Sequence, residues 1–122
     1  MPSVYITSQI PKIAFDLLTK KGFKVESNNT GQNLTKIQLK EILSKYDAVL
    51  TLMTDHIDEE LLNSASKKLK IIANFAVGYD NIDVLFAKRR GIVITNTPGV
   101  AGEAIAEYSF ALILANSTSI LS

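Results

Sequence analysis

The sequence predicts an α/β fold: a flavodoxin-like five-stranded parallel sheet in the order 2-1-3-4-5 with helices on both faces, plus an apolar C-terminal connector helix. Three observations carry this expectation. Short β-branched or apolar runs alternate with segments of helical period. The junctions between them carry helix start and stop signals. Crossovers of this length between successive strands are right-handed and lay helices on both faces of a parallel sheet.

Val4-Tyr5-Ile6-Thr7 opens the pattern as a strand, and Pro11 is preorganised for the first position of a helix on which Ile13, Ala14, Leu17 and Leu18 recur at helical spacing. Lys20 and Lys21 suit the negative end of that helix, and Gly22 its left-handed stop. Phe23 to Glu26 resumes as strand. The polar stretch from Ser27 to Asn33 is a loop, and Thr35-Lys36-Ile37-Gln38 has capping-box spacing ahead of Leu39, Ile42 and Leu43, which starts a second helix. Ala48-Val49-Leu50-Thr51 is the short apolar run of a strand buried on both faces. Asp58-Glu59-Glu60 then places acids in the first turn of a helix carrying Leu61, Leu62 and Ala65. Lys70 to Val77 is the fourth strand. Asp83 to Arg90 is the fourth helix, with Lys88, Arg89 and Arg90 at its end and Gly91 as its stop, and Ile92-Val93-Ile94-Thr95 is the fifth strand.

The stretch after Pro98-Gly99 is different. From Ala101 to Ala115, apart from Gly102, only Glu103, Glu107 and Ser109 interrupt an apolar run. A helix apolar around nearly its whole circumference needs cover on several sides, whereas the outer helix of a two-faced sheet needs one apolar stripe. Residues 1–100 are therefore expected to form one unit, and residues 101–122 a connector toward a further domain.

Composition narrows the function. A chain of 122 residues supports one core without disulfides or metals. With no Cys and one His, thiol catalysis and the usual zinc and iron-sulfur ligand sets are excluded. Thirteen basic and twelve acidic residues give a net charge of +1, so no nucleic-acid or anionic-membrane partner is expected. No apolar run reaches the roughly 20 residues that cross a bilayer, and the opening residues lack the pattern of a secretory signal. A cytoplasmic protein is expected, in which the glycosylation sequons at Asn28, Asn33 and Asn116 are coincidental.

In open parallel sheets, ligands sit beyond the carboxyl ends of the strands, which directs attention to the loops after Thr7, Thr51, Val77 and Asn96. The string from Ala73-Asn74-Phe75-Ala76-Val77-Gly78-Tyr79-Asp80-Asn81-Ile82-Asp83 through Ala87-Lys88-Arg89-Arg90-Gly91-Ile92 to Thr95-Asn96-Thr97-Pro98-Gly99-Val100 resembles D-isomer-specific 2-hydroxyacid dehydrogenases, as does Val4-Tyr5-Ile6-Thr7 with Ile10-Pro11. The likeness spans essentially the whole chain, and the branch reducing glyoxylate and hydroxypyruvate looks nearest.

The resemblance implies an N-terminal, substrate-binding domain. It implies that backbone N–H groups of the Val77-Gly78 turn hold the substrate carboxylate. A glycine admits close approach and turn dihedrals, and successive N–H groups form a concave anion site. It also implies that Met53, in the loop Leu52-Met53-Thr54, closes over the substrate; core filling is the competing role for that side chain. In relatives, Asn96 to Gly99 and the start of the last helix lie near the nicotinamide, and that helix leads into the nucleotide domain.

Such an enzyme uses NAD or NADP, an Arg that binds and polarises the 2-oxo acid, and a His paired with a Glu. Here the glycines stand at 22, 31, 78, 91, 99 and 102, so no GxGxxG is present. Arg89 and Arg90 lie in a helix end, where a solvated partner of the helix dipole is the ordinary role. His56 follows Asp55, and adjacent residues on a loop point apart. No catalytic, cofactor-binding or metal residue is therefore nominated. The substrate-binding nominees are Met53, Val77 and Gly78, and the chain alone is expected to be inactive.

Two other folds of this order are set aside: Thr7-Ser8-Gln9 and Thr51-Leu52-Met53 lack the acids of a receiver domain, and Thr7 to Pro11 lacks a flavin-phosphate loop. The remaining alternative is a non-catalytic binding or pairing module, expected as a homodimer through residues 101–115.

Overall fold

A computed structural model describes residues 2–9, 12–76 and 78–96, apart from the side chains of Ile13, Ala14 and Phe75. The element order is β1 (Ser3–Ile6), α1 (Lys12–Lys20), β2 (Lys24–Ser27), α2 (Lys36–Leu43), β3 (Ala48–Leu52), α3 (Glu59–Asn63), β4 (Ile71–Phe75), α4 (Val84–Arg89) and β5 (Val93–Thr95). All five strands are parallel, in the order β2-β1-β3-β4-β5. This is the architecture expected from the alternation of strand and helix. The expected helix at 101–115 lies outside the described residues.

Alternation along the central strands divides the core. Ala48, Leu50, Ile71 and Ala73 pack with Val4, Ile6, Leu18 and Phe23 on the α1 side. Val49 and Ile72 point the other way, into a larger cluster with Leu39, Leu43, Leu61, Leu62 and Ala87 from α2, α3 and α4. A period of two on strands buried on both faces produces this division.

The capping signals hold in detail. Thr35 Oγ1 accepts the Gln38 N–H at 3.2 Å, and Gln38 Oε1 accepts the Thr35 N–H at 2.8 Å, closing the capping box. Asp58 and Asp83 cap α3 and α4 in the same sense, through Leu61 N–H and Phe86 N–H. Gly22 and Gly91 have φ of 94° and 74°, the left-handed stops expected after α1 and α4.

Some boundaries move. Helix α3 ends at Asn63, so Ala65 lies beyond it, because the Ser64 hydroxyl donates to Leu61 O at 2.6 Å and closes the last turn. Phe23 belongs to the turn before β2, where it is buried under α1, and β4 ends at Phe75 rather than Val77. Arg90 is more than a solvated dipole partner: its guanidinium donates to Asn63 O at 3.0 Å and Ala65 O at 2.7 Å, satisfying carbonyls left open at the end of α3.

Candidate functional site

The carboxyl ends of β1, β3, β4 and β5 are tied by side chains that the apolar pattern does not reveal. At β1, Thr7 is buried, and its hydroxyl donates to Asp55 Oδ2 at 2.6 Å. The same oxygen accepts the Leu52 N–H at 2.8 Å, so Asp55 folds the turn after β3 back on itself. Asp55 is only 3% exposed, whereas His56 beside it is exposed. The two side chains occupy different environments, as expected, and no Asp-His pair forms between them.

The turns after β3 and β4 are joined through their backbones. Ile57 and Ile82 form a parallel bridge, in which Ile57 N–H donates to Asn81 O at 2.7 Å and Asp83 N–H to Ile57 O at 2.9 Å. A buried polar network reinforces the bridge. Thr51, Asn74 and Asn81 are 0%, 1% and 9% exposed. The Thr51 hydroxyl donates to Asn74 Oδ1 at 2.9 Å. The two amides pair reciprocally, with Asn74 Nδ2 2.9 Å from Asn81 Oδ1 and Asn81 Nδ2 3.1 Å from Asn74 Oδ1. Asn81 Nδ2 also reaches Leu52 O at 3.0 Å and Asp55 O at 2.8 Å, while Asn74 Nδ2 reaches Gly78 O at 3.1 Å. A buried amide must find partners for all its polar atoms, and here those partners are the two turns.

The structure places two of the three nominated residues. Met53 lies in the turn after β3 and is 68% exposed, which removes core filling as its role. Gly78 is exposed in the turn after β4, and a Cβ built on it would meet nothing within 4 Å. Its backbone is outside the left-handed region, so the expected need for turn dihedrals does not explain a glycine there. What remains is the open space over it, which leaves the backbone approachable. Val77 lies outside the described residues.

Tyr79 O–H donates to Asn96 Oδ1 at 2.8 Å and brings the end of β5 to the same edge. On the other side a cleft of about 300 Å³ is lined by Thr7, Ser8, Gln9, Asn28, Gln32 and Leu52, among others. Asn28, the first sequon asparagine, is buried, with its amide donating to Thr7 O at 3.2 Å and Gln32 O at 2.7 Å. It is a structural residue of that rim.

The network residues Thr7, Thr51, Asp55, Asn74 and Asn81 were not nominated from sequence. A signal exists for two of them. Thr51 ends a run read as a strand buried on both faces and Asn74 lies inside the fourth strand, and polar residues buried in strands must be paired. The identity of the partner is a matter of register, which pairs Thr51 with Asn74 across β3 and β4.

The arrangement is chemically suited to recognition. Among the described residues no group of three His, Cys, Asp or Glu is placed to hold a metal ion. Nor is any helix there long and apolar enough to cross a membrane. What the strand ends offer is an exposed glycine backbone on a rigidly braced rim.

The model for the catalytic domain of D-isomer specific 2-hydroxyacid dehydrogenases matches residues 4–118. The chain belongs to that family. It is 46% identical over 114 residues to a glyoxylate reductase of Thermococcus litoralis, covering 93% of this chain and 34% of the relative. Among solved structures, a protein of Thermus thermophilus superposes with a TM-score of 0.74 at 35% identity, covering 98% of this chain and 38% of that one. An NAD+-bound 3-phosphoglycerate dehydrogenase of Entamoeba histolytica gives a TM-score of 0.67 at 28% identity, covering 80% of this chain and 33% of that one. The chain thus spans about a third of the length of the curated relatives it matches.

Proposed function

We propose that this chain is the substrate-binding part of an NAD(P)-dependent D-2-hydroxyacid dehydrogenase that reduces a small 2-oxo acid such as glyoxylate or hydroxypyruvate. Residues 1–100 form the substrate domain and residues 101–122 the connector to a nucleotide-binding domain. The observation that carries this reading is Gly78: its backbone is exposed and approachable after β4, and Met53 is exposed in the turn after the neighbouring strand β3. Backbone N–H groups of the Val77-Gly78 turn hold the substrate carboxylate, and the loop Leu52-Met53-Thr54 closes over the substrate.

A nicotinamide dinucleotide supplies hydride when bound. The described residues do not fit its pyrophosphate, which takes a glycine-rich helix start with free N–H groups. Instead, Thr35, Asp58 and Asp83 each occupy the N-terminus of their own helix, two of them with a carboxylate. We assign the cofactor, and the cation and the acid that complete the reaction, to another part of the protein, since the glycines of this sequence form no GxGxxG. The share of this chain is to bind the acid and orient its carbonyl, and alone it turns over nothing.

The test is steady-state turnover with glyoxylate or hydroxypyruvate and either NADH or NADPH, measured on the complete reading frame and on the 122-residue chain. The complete protein is expected to oxidise the dinucleotide and the short chain to be silent. Turnover by the short chain would refute the division of labour. Silence of both would leave the alternative of a binding or pairing module, for which a stable homodimer through residues 101–115 is the expected mass in solution.

A further inference from the structure

Gly78 is approachable, but an approachable peptide binds an anion only if its N–H groups face outward. One side chain fixes that orientation. Asn74, 1% exposed, donates from Nδ2 to Gly78 O at 3.1 Å, which turns this carbonyl inward. The Gly78–Tyr79 peptide is trans, so its N–H points opposite to its C=O, away from Asn74 and the core. Tyr79 N–H donates to no acceptor among the described residues.

Asn74 works only in one amide orientation. Were its amide reversed, Oδ1 would face Gly78 O, two acceptors opposed, and the peptide would be free to rotate. The Thr51 hydroxyl and Asn81 Nδ2 both donate to Oδ1, at 2.9 and 3.1 Å, which holds the amide in the productive sense. Asn81 in turn is anchored to Leu52 O and Asp55 O, on either side of Met53. One buried chain of hydrogen bonds, Thr51 to Asn74 to Gly78, therefore sets the peptide, and its Asn81 branch sets the turn carrying Met53 in register with it.

We propose that Asn74 and Thr51 are positioning residues for the substrate carboxylate: they aim the Tyr79 N–H at the anion by holding Gly78 O inward. This rests on the reading of the Val77-Gly78 turn as the anion site and adds the Tyr79 N–H to it. Neither residue touches substrate. Their effect falls on the acid, because the peptide they orient is the one read as holding its carboxylate.

The experiment is a titration of the complete protein with oxamate, a non-reducible carboxylate beside a carbonyl, followed through the backbone amide resonances of Gly78 and Tyr79. In the unaltered protein both resonances should shift with saturation. Thr51→Val keeps the branched shape of the side chain and replaces only the hydroxyl by a methyl, so its affinity for oxamate should fall about fivefold and Thr51→Ser should restore it. Asn74→Ala should weaken oxamate about tenfold or more and shift the Tyr79 resonance before any anion is added. In turnover, KM for the 2-oxo acid should rise in Thr51→Val while KM for the dinucleotide stays unchanged.

The failures are separable. If oxamate binds the unaltered protein without moving Gly78 or Tyr79, the anion site lies elsewhere and both readings fall. If it moves them and Thr51→Val binds it as tightly as the parent, the positioning inference alone is overturned. The same holds if Thr51→Val changes both KM values in parallel, since that is the signature of a general structural loss.

Discussion

Replacing Asn81 by Ala tests whether one side chain holds the two site turns together. The two N–H groups of the amide are shared among Leu52 O, Asp55 O and Asn74 Oδ1, and its Oδ1 accepts from Asn74 Nδ2, all between 2.8 and 3.1 Å. The losses are unequal. Leu52 O keeps the Asp55 N–H at 3.0 Å, and Asn74 keeps Thr51 and Gly78 at its two ends. Asp55 O keeps no other donor among the described residues. One stripped carbonyl at about 1–3 kcal/mol and two weakened partners at about 0.5 kcal/mol each give about 2–4 kcal/mol.

That cost falls locally, on the bridge between Ile57 and Ile82. Hydrogen exchange of the Ile57 and Asp83 amides, which make the bridge, should accelerate about 30-fold to 700-fold if they exchange by opening of these turns. The Lys24 amide, bonded to Pro2 O at 2.9 Å in the strand at the far edge of the sheet, should not change if it exchanges by opening of that edge, which leaves the network intact. Exchange within about twofold of the parent at Ile57 and Asp83 would refute the reasoning, because a brace worth several kcal/mol cannot leave the amides it braces untouched.

Three further outcomes follow from the packing and the charges. Leu43 is fully buried between α2 and the sheet, so Leu43→Ala should destabilise by about 2–5 kcal/mol in a denaturant titration, with an unchanged m-value. Burial, with the hydrogen bond from Tyr46 O–H to Glu26 Oε2 at 2.8 Å, raises the Tyr46 phenol well above its ordinary value. The unfolded chain releases this proton near the ordinary value of 10.0 and the folded chain holds it, so stability falls as pH rises above that value; Tyr46→Phe should flatten the alkaline decline. Asp58 has the opposite sign: the Leu61 N–H and then the Lys36 ammonium hold its carboxyl below 3.8. Its contribution is complete above that value and lost as pH falls through the lower folded one, so Asp58→Ala should cost about 1 kcal/mol near neutrality and the gap should close in acid.

Fold and site were legible to different depths. Capping at Thr35, Asp58 and Asp83 and the stops at Gly22 and Gly91 follow from local rules, because a cap or a left-handed glycine acts within a few residues of itself. The strand order, by contrast, is a choice among folds with this alternation of strand and helix. The last turn of α3 is closed locally by the Ser64 hydroxyl, but the carbonyls at its end are satisfied from afar. The end of α3 is completed by Arg90, 27 residues beyond Asn63, and no pattern around Asn63 contains that information.

At the candidate site, the strand ends read from the sequence indicated which loops to consider, and the family resemblance nominated Met53 after β3 and the Val77-Gly78 turn after β4. Neither determined why the glycine is there. The residues that brace the site are Thr51, Asn74 and Asn81, whose hydrogen bonds span up to 29 positions, from Asn81 to Leu52 O. Only the parallel register of β3 against β4 sets Thr51 beside Asn74, and only the return of the chain through Ile82 brings Asn81 onto both. Helix, strand and cap obey short-range rules, whereas a buried polar network depends on which distant groups share a volume without water, and tertiary structure alone decides that.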